Sequence, residues 1–121
     1  MTDTSPEFYF ALDQIIGARE VQEDSLAYVK DIKINDNICD LFCLADGMGG
    51  HAAGDLASKV AIEAAISHIK SSEKEDISRI LFDAATMSNR EISNKVRENS
   101  KLEGMGCTLI LFLIIENNFY H

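Results

Sequence analysis

The most informative segment of the sequence is Leu41-Phe42-Cys43-Leu44-Ala45-Asp46-Gly47-Met48-Gly49-Gly50-His51. It begins as an apolar run bounded by glycines, which is the pattern of a buried β-strand. The run delivers Asp46 to a glycine-rich turn, and an alanine-rich helical pattern follows directly. A carboxylate at the end of a buried strand is costly unless a metal ion, a cationic side chain or backbone N–H groups compensate its charge. The stretch predicts a strand–turn–helix unit with a candidate functional group at the turn.

Further strands are predicted on both sides of this unit. We expect a first strand over residues 8–16, a second over Ser25–Val29 and a third over Ile38–Ala45, with a polar turn at Asn35-Asp36-Asn37 before the third. The aliphatic run Cys107–Ile115 predicts another strand, and Phe119-Tyr120-His121 begins one more.

Two long helices are predicted between these strands. Over Ala52–Ile69 the apolar residues recur at steps of three and four, which gives one apolar helical face. Ser72-Glu73-Lys74-Glu75 has the form of a capping box and predicts the start of a second helix over Asp76–Glu98. Consecutive helices do not make a parallel βαβ unit, so the order favours an α+β fold with a helix pair on one face of strand hairpins.

Composition narrows the class of protein. A chain of 121 residues suits one domain, here 1–121, and its net charge of −9 argues against nucleic acid or an anionic membrane as a partner. No window approaches the roughly 18 apolar residues of a membrane span, and the polar N-terminus does not look like a secretory signal. The cysteines Cys39, Cys43 and Cys107 form no CxxC pair, which favours buried free thiols and a cytoplasmic location.

Carboxylates are predicted to meet at one edge of the sheet. If the first three strands form a meander, Glu23, Asp24 and Asp46 share a pocket with Arg19 nearby. Clustered carboxylates repel one another unless a cation holds them, and an all-oxygen set favours Mg²⁺ or Mn²⁺. Gly47 can add its carbonyl oxygen, because a glycine lets the backbone approach an ion closely.

Other interpretations of these residues stay open at this point. Arg19 can form a surface ion pair with Glu23 or Asp24, and Asp46 can cap a helix. His51 can be a structural hydrogen-bonding residue, and Gly49 and Gly50 can be ordinary turn glycines. Gly47-x-Gly49-x-x-Ala52 also satisfies a dinucleotide-binding fingerprint, although Asp46 would press its charge toward the pyrophosphate. No Gly-Lys-Ser/Thr follows, which excludes a nucleoside-triphosphate phosphate loop.

Three segments occur in a fixed order along the chain. They are Arg19-x-x-x-Glu23-Asp24, then Ala45-Asp46-Gly47-Met48-Gly49-Gly50-His51-x-x-Gly54-x-x-Ala57-Ser58, then Gly106-Cys107-Thr108-Leu109. Together they resemble the motifs of the metal-dependent protein serine/threonine phosphatases, the PPM or type 2C family, and the second is close to its bacterial form.

The resemblance implies a four-layer αββα fold, an antiparallel β-sandwich flanked by helix pairs. It also implies that Asp46 bridges two Mn²⁺ or Mg²⁺ ions and that Gly47 offers its carbonyl oxygen to one of them. Glu23 and Asp24 would support the metals or their waters, and Arg19 would grip the phosphate of a phosphoserine or phosphothreonine protein. An opposing serine/threonine kinase is the implied partner.

The family's later metal-binding motifs do not follow Gly106–Leu109 in this chain. These are a Gly-Asp-Ser-Arg strand, a Ser-Asp-Gly segment and a closing Asp-Asn pair. We therefore expect the N-terminal half of a phosphatase domain, inactive by itself. The alternative is a non-catalytic module that keeps this half of the fold for binding.

Overall fold

The computed structural model describes residues 10–15, 22–50, 52–73 and 75–121. Its strands are β1 (Asp24–Ile34), β2 (Asn37–Met48), β3 (Gly106–Ile115) and β4 (Asn118–Tyr120). They form one antiparallel sheet in the order β1-β2-β3-β4. Two helices, α1 (Ala52–Ser71) and α2 (Ile77–Glu98), and a 3₁₀ turn (Ser100–Leu102) lie between β2 and β3. The α+β class is confirmed, and these residues build one sheet and one helix pair of the expected sandwich.

The inner face of the sheet carries the core. In β2, Cys39, Leu41, Cys43 and Ala45 alternate inward and are at most 4 % exposed. Helix α1 comes close to this face because its contact surface is made of small side chains, and α2 packs mainly on α1. Ser88 of α2 donates a hydrogen bond to the Ala61 carbonyl at 2.7 Å, so its buried hydroxyl is satisfied.

The outer face of the sheet carries a row of aromatic rings. Tyr28 stacks on Phe42 with ring centroids 4.8 Å apart, and Phe42 lies 6.4 Å from Phe112 on the next strand. Phe112 in turn stacks on Phe119 at 5.6 Å. Cross-strand aromatic pairs of this kind stabilise the register of neighbouring strands.

A β-bulge lengthens the first hairpin beyond its prediction. The β1–β2 register shifts between Val29 and Ile32, where Asp31 has a φ of 58° and donates its backbone N–H to Asp40 Oδ1 at 3.1 Å. Asp is one of the residues that tolerate this left-handed conformation. The bulge returns Ile32 and Ile34 to the core, so the strand predicted over Ser25–Val29 continues to Ile34.

Two predicted elements are wrong in the described residues. Residues 10–15 form no strand; Phe10 instead packs its ring on Tyr28 and Phe42, at centroid distances of 4.2 and 5.0 Å. Ser72 does not cap α2, because Asp76 is the N-cap and accepts from the N–H groups of Ser78 and Arg79. An aspartate next to the first helical residue outcompetes a serine four positions earlier.

No helix in the described ranges combines the length and the apolar composition that crossing a bilayer requires.

Candidate functional site

A polar row crosses the outer face of the sheet at one end. Asp46 of β2 lies opposite Asp24 of β1 and opposite Thr108 of β3. Residues directly opposite in antiparallel strands share a face, with Cβ atoms about 4.5–5.5 Å apart. Asp46 is exposed, and its backbone N–H donates to Thr108 Oγ1 at 3.2 Å. The row therefore places two carboxylates and a hydroxyl on neighbouring strands.

The sequence predicts that the strand ends at Ala45, just before Asp46, but in the structure Asp46 lies inside β2. Gly47 and Met48 still pair with Cys107 and Gly106, so β2 continues two residues beyond it. An aspartate inside a strand cannot cap a helix, which removes that alternative for Asp46. It also costs little there, because its side chain is on the exposed face.

Glu23 lies on the other side of the chain from the polar row. Its carboxylate points at Gly54 in the first turn of α1: a Cβ built on Gly54 would lie 2.6 Å from Glu23 Oε1. Successive residues of an extended chain alternate in direction, so neighbouring Glu23 and Asp24 serve different faces. Glu23 Oε1 is buried and has no hydrogen-bond partner among the residues that the structure describes.

Gly47 is required by close packing. Its N–H donates to the Glu23 carbonyl at 3.1 Å, and a Cβ added to it would lie 2.0 Å from the Gly54 carbonyl oxygen. The same Cβ would lie 2.7 Å from the Glu23 carbonyl oxygen. Only a glycine lets β2, α1 and the start of β1 approach this closely. The predicted role of its carbonyl as a metal ligand stays a prediction.

The turn between β2 and α1 uses the left-handed region twice. Gly49 has a φ of 127° and Gly50 a φ of 74°, conformations that disfavour any residue with a Cβ. These two residues are therefore turn glycines. The dinucleotide interpretation is wrong, because α1 leads to a second helix and every pairing among the described strands is antiparallel.

An open cleft of about 440 Å³ lies beside Asp24, between the start of β1 and α1. On its α1 side Lys59 Nζ forms an ion pair with Asp55 Oδ2 at 2.8 Å, and Glu63 lies further along the same helix. Exposed pairs at this helical spacing contribute only a few tenths of a kcal/mol, about 0.3–0.5. The lining of the cleft thus includes several charged side chains, and its lysine, Lys59, is paired with Asp55.

The cysteine thiols are poor nucleophiles in this environment. Burial raises the pKa of Cys43 to about 12 and also raises the pKa of Cys39. The pKa of Cys107 is raised by burial and, second, by the negative charge of Asp46. Because their pKa values are raised, all three thiols are protonated near neutral pH. The thiolate is the reactive form of cysteine, so these protonated thiols are weak nucleophiles. All three cysteines are free, as expected, but only Cys39 and Cys43 are buried; Cys107 is half-buried.

The predicted site residues are not all brought together. Asp24 and Asp46 are in register, and Gly47 bonds to Glu23, but the Glu23 carboxylate lies against α1. Arg19 and His51 lie outside the described residues. Within the described ranges, no group of three or more His, Cys, Asp or Glu side chains is arranged to hold a metal ion.

Sequence reasoning missed three residues that shape this region. Thr108 accepts the Asp46 N–H, and Ser25 Oγ lies 2.8 Å from the fully buried Ser58 Oγ. Ser58 Oγ donates to the Asp55 carbonyl at 3.1 Å, so the Ser25 hydroxyl is the donor to Ser58. A signal existed for Ser58 and Thr108, because both fall inside the quoted motifs, but nothing in the sequence pairs Ser25 with Ser58.

The family model described as Protein phosphatase 2C matches residues 15–121. The serine/threonine protein phosphatase PstP of Mycobacterium tuberculosis is 44 % identical over 78 residues, which cover 64 % of this chain and 15 % of PstP.

Solved structures agree with the family model. The crystal structure of M. tuberculosis PstP/Ppp matches with a TM-score of 0.64 and 36 % identity, covering 84 % of this chain and 39 % of that one. The S. agalactiae serine/threonine phosphatase matches with a TM-score of 0.63 and 28 % identity, covering 84 % of this chain and 41 % of that one. The catalytic domain of PstP with two manganese ions gives 0.58 and 33 %, covering 79 % and 44 %.

The chain thus spans less than half the length of these relatives, and the match covers all three quoted motifs. The chain belongs to the protein phosphatase 2C family.

Proposed function

We propose that this chain is part of a metal-dependent protein serine/threonine phosphatase, which hydrolyses phosphomonoesters with a metal-activated water. The observation that carries the proposal is the family match over residues 15–121, which takes in the Arg19…Asp24, Asp46-Gly47 and Gly106–Leu109 motifs. PstP, which carries the name of a serine/threonine protein phosphatase, is 44 % identical over its matched segment. The polar row adds a physical reason, since it gathers carboxylates on adjacent strands.

The metal would be held first by Asp46, with Gly47 offering its carbonyl oxygen and Glu23 and Asp24 supporting the ions or their waters. Carboxylate and carbonyl oxygens suit Mg²⁺ and Mn²⁺, and the PstP catalytic domain has been solved with two manganese ions. The fit is partial: Asp24 and Asp46 lie in register, and the orphaned Oε1 of Glu23 marks a carboxylate in need of a partner. The described residues do not complete a metal site, so the remaining ligands must come from elsewhere.

The chemistry divides between the metal and the chain. When bound, a pair of divalent ions lowers the pKa of a bound water toward neutrality and so supplies hydroxide. Arg19 would bind the phosphate oxygens of the substrate, because a guanidinium matches phosphate geometry with two parallel hydrogen bonds. Asp46 would supply carboxylate oxygens to the ions, and Asp24 would support the ions or their waters. The protonated thiols of Cys43 and Cys107 would take no part as nucleophiles.

The proposal extends to the protein's context. The substrate would be a phosphoserine or phosphothreonine protein in the cytoplasm, and a serine/threonine kinase would supply the phosphate. Residues 1–121 alone would have little or no activity, because they correspond to 39–44 % of the solved relatives.

The alternative, a non-catalytic binding module, is separated by a chimera. Residues 1–121 replace the matching segment of the PstP catalytic domain, and hydrolysis of p-nitrophenyl phosphate is followed with Mn²⁺ and with EDTA. We expect Mn²⁺-dependent turnover that Asp46→Ala abolishes and that residues 1–121 alone lack. Leu44→Ala, on the same face of β2, is the matched control and should retain turnover. Full activity in EDTA, or in Asp46→Ala, would refute the proposal; a folded but inactive chimera would favour the binding module.

A further inference from the structure

The main chain at Glu23 is fixed from two sides. On one side the Gly47 N–H donates to the Glu23 carbonyl at 3.1 Å. On the other side, two residues along, Ser25 donates to Ser58 Oγ at 2.8 Å, and Ser58 is fully buried in α1. The backbone at Glu23 is thus anchored to both β2 and α1, and the Glu23 side chain extends over the first turn of α1.

Gly54 occupies the position over which this side chain lies. A Cβ on Gly54 would lie 2.6 Å from Glu23 Oε1, 2.8 Å from Cδ and 3.2 Å from Cγ. The distances to Oε1 and Cδ are shorter than real Cβ contacts, so any larger residue at this position displaces the carboxylate. Gly54 is buried and lies third in α1, and glycine is a poorer helix former than alanine. The glycine here needs a reason beyond helix formation.

We propose that Gly54 is a positioning residue for Glu23: its missing side chain forms a slot that fixes the carboxylate against the first turn of α1. The location suits a carboxylate, because a helix N-terminus carries partial positive charge. The inference rests on the proposed function, since Glu23 is one of the residues assigned to the metal or its waters. Its stability arm, however, is independent of any metal.

Gly47 provides the contrast within the same contact. A Cβ on Gly47 meets backbone atoms, the Gly54 carbonyl at 2.0 Å and the Glu23 carbonyl at 2.7 Å. Those atoms remain when Glu23 is shortened to alanine. A Cβ on Gly54 meets only the Glu23 side chain among its three nearest neighbours, and those atoms are removed by Glu23→Ala. The two glycines should therefore respond differently to the same second substitution.

The first test is a double-mutant cycle on the unfolding midpoint of the 121-residue chain without metal. In the Glu23→Ala background, Gly54→Ala should raise the midpoint, because only helix propensity remains. In the wild-type background the same substitution should give a smaller rise or a fall. Gly47→Ala should lower the midpoint, or prevent folding, in both backgrounds. Glu63→Ala, which removes an exposed glutamate of α1, is the control background and should behave like wild type. An equal effect of Gly54→Ala in the wild-type and Glu23→Ala backgrounds would overturn the inference.

The second test uses the PstP chimera and the Mn²⁺ concentration that gives half-maximal hydrolysis. Gly54→Ala should raise that concentration roughly tenfold or more, the range for loss of a group that orients a metal ligand. In the Glu23→Ala background it should cause no further rise. A further rise of equal size would contradict the positioning role. A wild-type chimera with no metal dependence would instead contradict the proposed function, and the stability cycle would still decide on the slot.

Discussion

The two faces of the sheet differ in what covers them: α1 packs on the inner face, whereas the outer face has exposed side chains. The residues of β2 alternate between these two faces. Leu41 and Ala45 point inward and are 0 % exposed under α1, whereas Leu44 between them points outward and is 40 % exposed. Further along, Gly47 faces inward at a position where nothing larger fits, and Asp46 faces outward in the polar row. One strand thus serves packing with every second residue and presents the intervening residues on the face that carries the candidate chemistry.

The largest effect expected from this comparison is on stability at Leu41. Leu41→Ala removes a fully buried side chain from the core and should lower the free energy of unfolding by about 2–5 kcal/mol. Leu44→Ala removes a side chain of the same size from the outer face and should cost less than about 1 kcal/mol, as partly exposed positions do. Chemical denaturation of both variants measures the difference. Equal losses would mean that the outer face is as closely packed as the inner face.

A smaller effect on stability is expected when the pH is raised, because the Cys43 thiol is buried on the inner face. The pKa of Cys43 is raised by burial to about 12 from its ordinary 9.0. Below pH 9 both states hold the proton, so stability does not change. Between about 9 and 12 the unfolded thiol ionises and the folded one does not, so stability falls, by at most about 1.4 kcal/mol per pH unit.

The measurement for this effect is the denaturation midpoint at pH 7.5 and at pH 10 in wild type and in Cys43→Ala. Cys39, Cys107 and Tyr28 also have raised pKa values and remain in both proteins, so the difference between the two alkaline losses isolates Cys43. We expect a smaller alkaline loss in Cys43→Ala. Identical losses would show that the Cys43 thiol ionises as readily in the folded protein as in the unfolded one.

Periodicity predicted the parts of the fold that depend on a repeated pattern. The alternation of β2 and the apolar stripes of both helices were predicted within a few residues, because burial imposes a period of two or of three to four. The ends were less predictable. β1 runs on to Ile34 because of a bulge at Asp31, and β2 runs past Asp46 because Gly47 and Met48 still find partners on β3.

The candidate site was predicted less completely than the fold. The sequence singled out Glu23, Asp24 and Asp46 together, but adjacent residues of an extended chain alternate in direction. Only the tertiary contacts show that Glu23 turns to Gly54 while Asp24 joins Asp46. The Ser25–Ser58 hydrogen bond spans 33 residues and depends on how α1 lies on the sheet, which no local pattern encodes.

We have proposed that Asp46, at the outer-face end of β2, binds divalent ions, and paramagnetic line broadening by Mn²⁺ can detect that binding. Substoichiometric Mn²⁺ is added to the ¹⁵N-labelled 121-residue chain, and amide signals are compared along the β1–β2 hairpin. Asp46 lies nine residues from Asn37, roughly 30 Å at the strand rise per residue. We predict strong broadening at Asp24, Asp46 and Gly47, little at Asn37, and loss of the pattern in Asp46→Ala. Broadening centred on the Asp55–Glu63 side of the cleft, or unchanged in Asp46→Ala, would contradict the account.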